Sequence, residues 1–202
     1  MLAPPPSSRE LGRLEAFSDG IFAIAVTLLV LDIKVPHLHA ATPALLLNAL
    51  SSLWPSVLTF VISFVTITII WIGHHDMIRR AHFITPRILI ANSALLLLVT
   101  FIPFPTALLS EYLETPAAPI VCALYAAVGL IAALIFTALY SVLYREGYLP
   151  AQRSSEDVYA FHVRKNIATS GVYVVAAGVA FLSPLASLLL LLATWVYWGL
   201  SI

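Results

Sequence analysis

Long runs without Asp, Glu, Lys or Arg alternate along this chain with short charged punctuation. The uncharged runs extend from Val35 to His75, from Ile88 to Ser110, from Thr115 to Tyr144 and from Asn166 to Ile202. A helix that crosses the hydrocarbon layer needs about 20 mostly apolar residues, so each run is long enough. Ser183-Pro184 breaks the last into two short crossings joined by a tight turn. Ala16 to Ile33 makes one further span, with Asp19 and Asp32 near its ends. The Val35–His75 run can hold one helix that begins near Pro43 or two helices split at Pro55.

The cations decide that case, because Lys and Arg collect in cytoplasmic loops. With one span in that run, Arg9, Arg13, Arg79, Arg80, Arg87, Arg145, Arg153, Arg164 and Lys165 fall on one side, and only Lys34 joins Glu111 and Glu114 on the other. Splitting the run spoils this segregation. The expectation is therefore an all-α integral membrane protein with six transmembrane helices at approximately 14–34, 43–76, 87–111, 117–144, 158–181 and 184–201. Both termini are placed in the cytoplasm and the chain in the plasma membrane. Residues 1–8 read as a disordered Pro-rich tail, and Gln152–Asp157 as a surface loop. Arg9 and Arg13 ahead of Gly20–Leu31, with Ala40-Ala41 beyond, suggest a cleavable leader, but Asp19 at the start of the apolar stretch is wrong for one.

Composition narrows the function. Hydrophobic residues make up 61% and charged residues 10% of the 202 positions, and mean hydropathy is +0.98, which excludes both a soluble domain and a disordered chain. Ten cations balance ten acids, so no basic surplus exists for nucleic acid. The lone cysteine, Cys122, reads as a small buried hydrophobe.

The first span is the most polar in its approach. Arg13-Leu-Glu-Ala-Phe17-Ser18-Asp19-Gly20 brings two acids and a cation to a membrane helix, where an ionisable residue is a functional hypothesis by default. Asp19 either bonds to a neighbouring helix or, with Ser18, caps this one at the headgroups. Beyond it, Ile24, Leu28 and Leu31 form an apolar stripe with Thr27 beside them. Ala16, Gly20, Ala23 and Thr27 recur at the spacing that lets membrane helices approach closely. Copies of this helix around an axis would stack the stripe into apolar rings about 10 Å deep, and such rings gate by dewetting.

Arg13-x-x-x-Phe17-Ser18-Asp19, continuing from Gly20 through Leu28 and Lys34 to Pro36, resembles the signature first helix of the transmembrane protein 175 family of endolysosomal and prokaryotic potassium channels. Trp71-Ile-Gly-His74-His75 resembles the end of that family's second helix, and the Phe101–Tyr112 segment the end of its third. The resemblance implies a homotetrameric potassium-selective channel, passing K+ passively, with the first helix lining the pore and no TVGYG filter. It places the constriction at Ile24, with Leu28 and Leu31 as further apolar layers and Thr27 as a nearby hydroxyl. Phe17, Ser18 and Asp19 would hold the pore helix by hydrogen bonds in which Arg13, Trp71, His74 and His75 take part.

The other chemistry-bearing residues have ordinary readings. Adjacent His74 and His75 diverge by about 100° on a helix, and with His82 and Asp76 they lack metal-ligand spacing. His37 and His39 read as loop residues. His162, Arg164, Lys165 and Asn166 read as snorkelling anchors, and Trp195, Tyr197 and Trp198 as an interfacial aromatic belt. No nucleophile motif frames Ser18, Asp19 and His74, so no enzyme is expected. No cofactor and no metal beyond permeating K+ is expected either. The alternative is a secondary transporter for a small cation or other solute, hinted at only by the breaks at Pro55 and Pro103.

Overall fold

The computed structural model of the chain describes residues 8–39, 42–79, 81, 84–145 and 153–199, and these are helical apart from turns and loops. The expected tail lies mostly outside them, as do Ala40-Ala41, Arg80, His82 and Gln152. Helix α1 spans Ser8–Leu28 and tightens into a 3-10 turn at Leu29–Asp32. It is followed by α2 (Pro43–Ser51), α3 (Trp54–Arg79), α4 (Pro86–Phe101), α5 (Pro103–Tyr112), α6 (Ala118–Arg145), α7 (Arg153–Val179) and α8 (Pro184–Gly199). Among the described residues, four stretches are long and apolar enough to cross a membrane: Glu10–Asp32, Trp54–Arg79, Pro86–Tyr112 and Ala118–Arg145. Of the other two expected crossings, α7 has the length but carries charges through its first half, and α8 has only 16 residues.

Proline chemistry sets several of these boundaries. The second crossing begins at Trp54, because Pro55 lacks an N–H and its ring clashes with the carbonyl four residues back, at Ser51, where α2 stops. Ser51 and Ser52 donate their hydroxyls back to the carbonyls of Asn48 and Ala49 at 2.8 Å, closing the break. Thr42 caps α2, accepting from the Leu45 N–H, with Pro43 in the first turn. Thr85 and Pro86 start α4 in the same way. Pro103 and Pro105 interrupt the third crossing at Ile102 and divide it into α4 and α5. Within the expected surface loop, Arg153–Asp157 continues α7 as helix instead.

Two clusters of buried side chains form the interior. One gathers Phe22 of α1 and Leu29 of the 3-10 turn, Ile67 and Met77 of α3, Leu95 of α4 and Leu139 of α6. The other gathers Ile62 of α3, Leu109 of α5, Cys122 and Ala126 of α6, Ala176 of α7, and Leu188 and Leu191 of α8. Both clusters draw on α3 and α6, which makes those helices the central posts. Lipid tails are as apolar as leucine, so packing and interhelical hydrogen bonds hold such a bundle together. Ser63 of α3 supplies one set, 2.6 Å from the Thr106 hydroxyl of α5 and 2.8 Å from the Tyr125 hydroxyl of α6, all buried. Gly129 supplies close packing, since a Cβ there would lie 2.5 Å from the Tyr173 ring.

Two expectations about α7 and α8 are corrected. Trp195 is buried against the second cluster instead of standing in an interfacial belt. Lys165 is buried too, its Nζ 3.7 Å from the Trp198 ring centroid and 5.3 Å from that of Tyr197. A cation over aromatic faces is stabilised by their quadrupoles, so this lysine turns inward where a snorkelling side chain would reach for water.

Candidate ion pathway

Helix α1 has two unlike faces. Leu14, Ser18, Phe22, Ala25 and Leu29 recur every three or four residues and are buried against the rest of the chain. The opposite face carries Phe17, Ile24, Leu28 and Leu31, exposed by 62%, 60%, 44% and 63%. Ala16, Gly20, Ala23 and Thr27 share this open surface. The Thr27 hydroxyl donates to the Ile24 carbonyl at 2.9 Å, which leaves its oxygen lone pairs directed outward as acceptors. The 3-10 turn keeps the stripe in line. Residues three apart eclipse in that geometry, so Leu31 falls directly above Leu28.

The buried face is pinned by polar bonds at its N-terminal half. The Asn92 Nδ2 of α4 donates to Ser18 Oγ at 3.1 Å, and Asn92 Oδ1 lies 2.7 Å from His74 Nε2 of α3. All three residues are at most 1% exposed, so these bonds form where neither water nor lipid can substitute. The His74 ring also packs on Phe22, with centroids 5.4 Å apart.

A second tie lies nearer the surface. The Trp71 Nε1 of α3 donates to Asp19 Oδ1 at 2.8 Å, which makes Asp19 a partner of a neighbouring helix. Trp71 stacks on His75, whose Nδ1 lies 3.1 Å from Glu15 Oε1. That approach is close enough for an ion pair once the imidazole is protonated, although it is not aligned as a hydrogen bond.

The residues quoted for the first-helix motif thus divide. Ser18, Asp19, Trp71, His74 and His75 converge between α1 and α3. Arg13 and Phe17 point away from the chain's interior, and among the described residues Arg13 has no hydrogen-bond partner. Asn92 and Glu15 join the set without having been expected. Glu15 could have been found, because it lies four residues before Asp19 and so shares its face. Asn92, the one side-chain amide of α4, was also visible in the sequence.

These features define an integral membrane protein of several apolar helices, with one helix held on a polar clamp and its outer face left open. Residues 13–103 match the family described as endosomal/lysosomal potassium channel TMEM175. A protein named as a potassium channel from Chamaesiphon minutus is 38% identical over 195 residues, covering 96% of each chain. Another so named, from Streptomyces collinus, is 41% identical over 176 residues, covering 86% of this chain and 84% of its own. A crystal structure of a lysosomal potassium-selective channel TMEM175 homolog from Chamaesiphon minutus matches with a TM-score of 0.83 at 37% identity, covering 96% of this chain and 98% of that one. The chain belongs to the TMEM175 family. Its family and relatives are ion channels, not enzymes.

Proposed function

We propose that this chain is the subunit of a potassium-selective channel in which α1 lines a central pore. The observation that carries this reading is the open face of α1. A membrane helix turned toward lipid needs neither a stripe of small residues nor a buried polar clamp behind it, whereas a helix that must hold its position beside copies of itself needs both. Four copies around an axis bring Ile24, Leu28 and Leu31 into successive apolar rings, with Ile24 the narrowest. Thr27 then offers an acceptor oxygen between them. A cation passing Ile24 sheds water where little replaces it, so the ring sets conductance and serves as the gate. Preference for potassium follows from its cheaper dehydration.

In this reading α7 and α8 complete six crossings per subunit, both termini lie in the cytoplasm of a plasma-membrane protein, and the clamp formed by Ser18, Asp19, Trp71, His74 and His75 fixes the rotation of α1. Arg13 and Phe17, open on this chain, meet a neighbouring copy. The relatives named as potassium channels support the ion, and the crystal structure of the potassium-selective homolog supports the architecture. The test is the reversal potential of purified protein in planar bilayers under mixed potassium and sodium. Unitary currents reversing near the potassium equilibrium potential are expected. Saturable coupled flux without unitary currents would replace the channel with a transporter.

A further inference from the structure

A cavity of about 330 Å³ lies between α3, α6, α7 and α8, within the subunit and away from the open face of α1. On α3 its wall runs from Thr66 to Asp76, about 15 Å of helix. Its body is aliphatic and aromatic, with Phe136, Tyr173 and Trp195 among the walls. Its polar end sits toward the ends of α3 and α6 that carry Arg79 and Arg145, where Asp76, Lys165 and Asn166 join the lining. Asn166 is 3% exposed, and its Nδ2 has no hydrogen-bond partner. A buried amide donor left without an acceptor is destabilising, and a bound acceptor recovers that loss.

We infer that this cavity binds a compact, uncharged amphiphile with a ring-bearing body and a carboxamide-like head. The volume is at the small end of ligand pockets, which are mostly apolar with a few convergent polar groups. The aromatic walls suit a flat ring by stacking. The head must satisfy Asn166, which calls for a carbonyl acceptor, and Asp76 lines the same cavity, so an N–H on the head meets a carboxylate there. The Asp76 carboxylate and the Lys165 ammonium balance in formal charge, so a neutral head fits better than an anionic one. The site is independent of the pore, since its lining shares no residue with the clamp on α1.

The test uses full-length purified protein and radiolabelled naphthalene-2-carboxamide in a scintillation proximity assay, where displacement by unlabelled compound separates the site from micelle partitioning. Displaceable binding is expected, with naphthalene at least tenfold weaker as a competitor and naphthalene-2-carboxylate weaker than the carboxamide. Asn166→Leu should weaken the carboxamide at least tenfold while naphthalene competes as before, which also shows that the variant is folded. Ala133→Leu, which fills the apolar body, should abolish binding of both. Absence of displaceable binding to the wild-type chain would mean that water alone serves Asn166 and would overturn the inference. So would equal competition by naphthalene and the carboxamide, tighter binding of the carboxylate, or an Asn166→Leu chain that binds as the wild type does. Ion currents play no part in the readout, so the result is separate from that of the channel reading.

Discussion

Replacing Asn92 with Leu removes the bridge between α1 and α3 at nearly constant volume. The Ser18 hydroxyl and the His74 Nε2, both buried, each lose a partner. An orphaned buried polar group costs about 1–3 kcal/mol, which gives roughly 2–6 kcal/mol for the pair. Measured side-chain hydrogen bonds in membrane bundles average only about 0.6 kcal/mol, because the separated helices find other partners, and this sets a floor of roughly 1 kcal/mol for two bonds. Ser18 and His74 are shut off from water, so an effect of about 2–4 kcal/mol is expected. At roughly 2–4 °C per kcal/mol for a chain of this length, the unfolding midpoint of detergent-purified protein should fall by about 4–16 °C. The triple variant Ser18→Ala, His74→Phe, Asn92→Leu should recover most of that loss, since removing every polar member leaves nothing unsatisfied. A single variant that melts within 1 °C of the parent, or a triple variant no better than the single, would refute the clamp.

Four further outcomes follow from the same geometry. Ile24→Asn should wet the proposed constriction and raise sodium relative to potassium permeability in bilayer recordings, and unchanged selectivity would remove Ile24 from that role. Asp19→Ala should reduce the yield of assembled oligomer in size-exclusion chromatography, because it frees Trp71 from α1; normal oligomers with normal currents would show that the tie is dispensable. Gly129→Ala should destabilise by about 1–3 kcal/mol through overpacking on Tyr173, measured as a lowered melting midpoint that Tyr173→Leu restores. Glu15→Gln should change stability by less than about 1 kcal/mol, since both it and His75 are roughly one-third exposed and such pairs contribute little.

The sequence displays length and punctuation more clearly than facing. Charge-free runs outlined the long apolar helices, but the second, expected as one helix from 43, starts at Trp54, because Pro55 acts on its own backbone and the cation pattern does not report it. The character of α1 was also legible, as acids and small residues are costly or unusual in a span. Facing is harder to read because lipid and protein interior are both apolar. The pattern around Trp195 and Lys165 therefore points to the membrane surface although both turn inward, and nothing in the hydrophobic period distinguishes the two settings. The Asn92 bridge depends on three helices meeting at one depth, which no local pattern encodes.

The winding of α1 changes along its length, and this makes its apolar stripe mechanically unequal. Ile24 sits on a regular α-helical turn, while Leu31 is carried by three residues of tighter pitch. Relaxing those residues to α geometry would swing Leu31 by about 60° and draw it inward along the axis by about 1.5 Å. Ile24 would stay in place. The far end of the stripe can thus be reshaped by torsion about a turn that pivots on buried Leu29, while the bonds of Ser18, Asn92 and His74 stay in place.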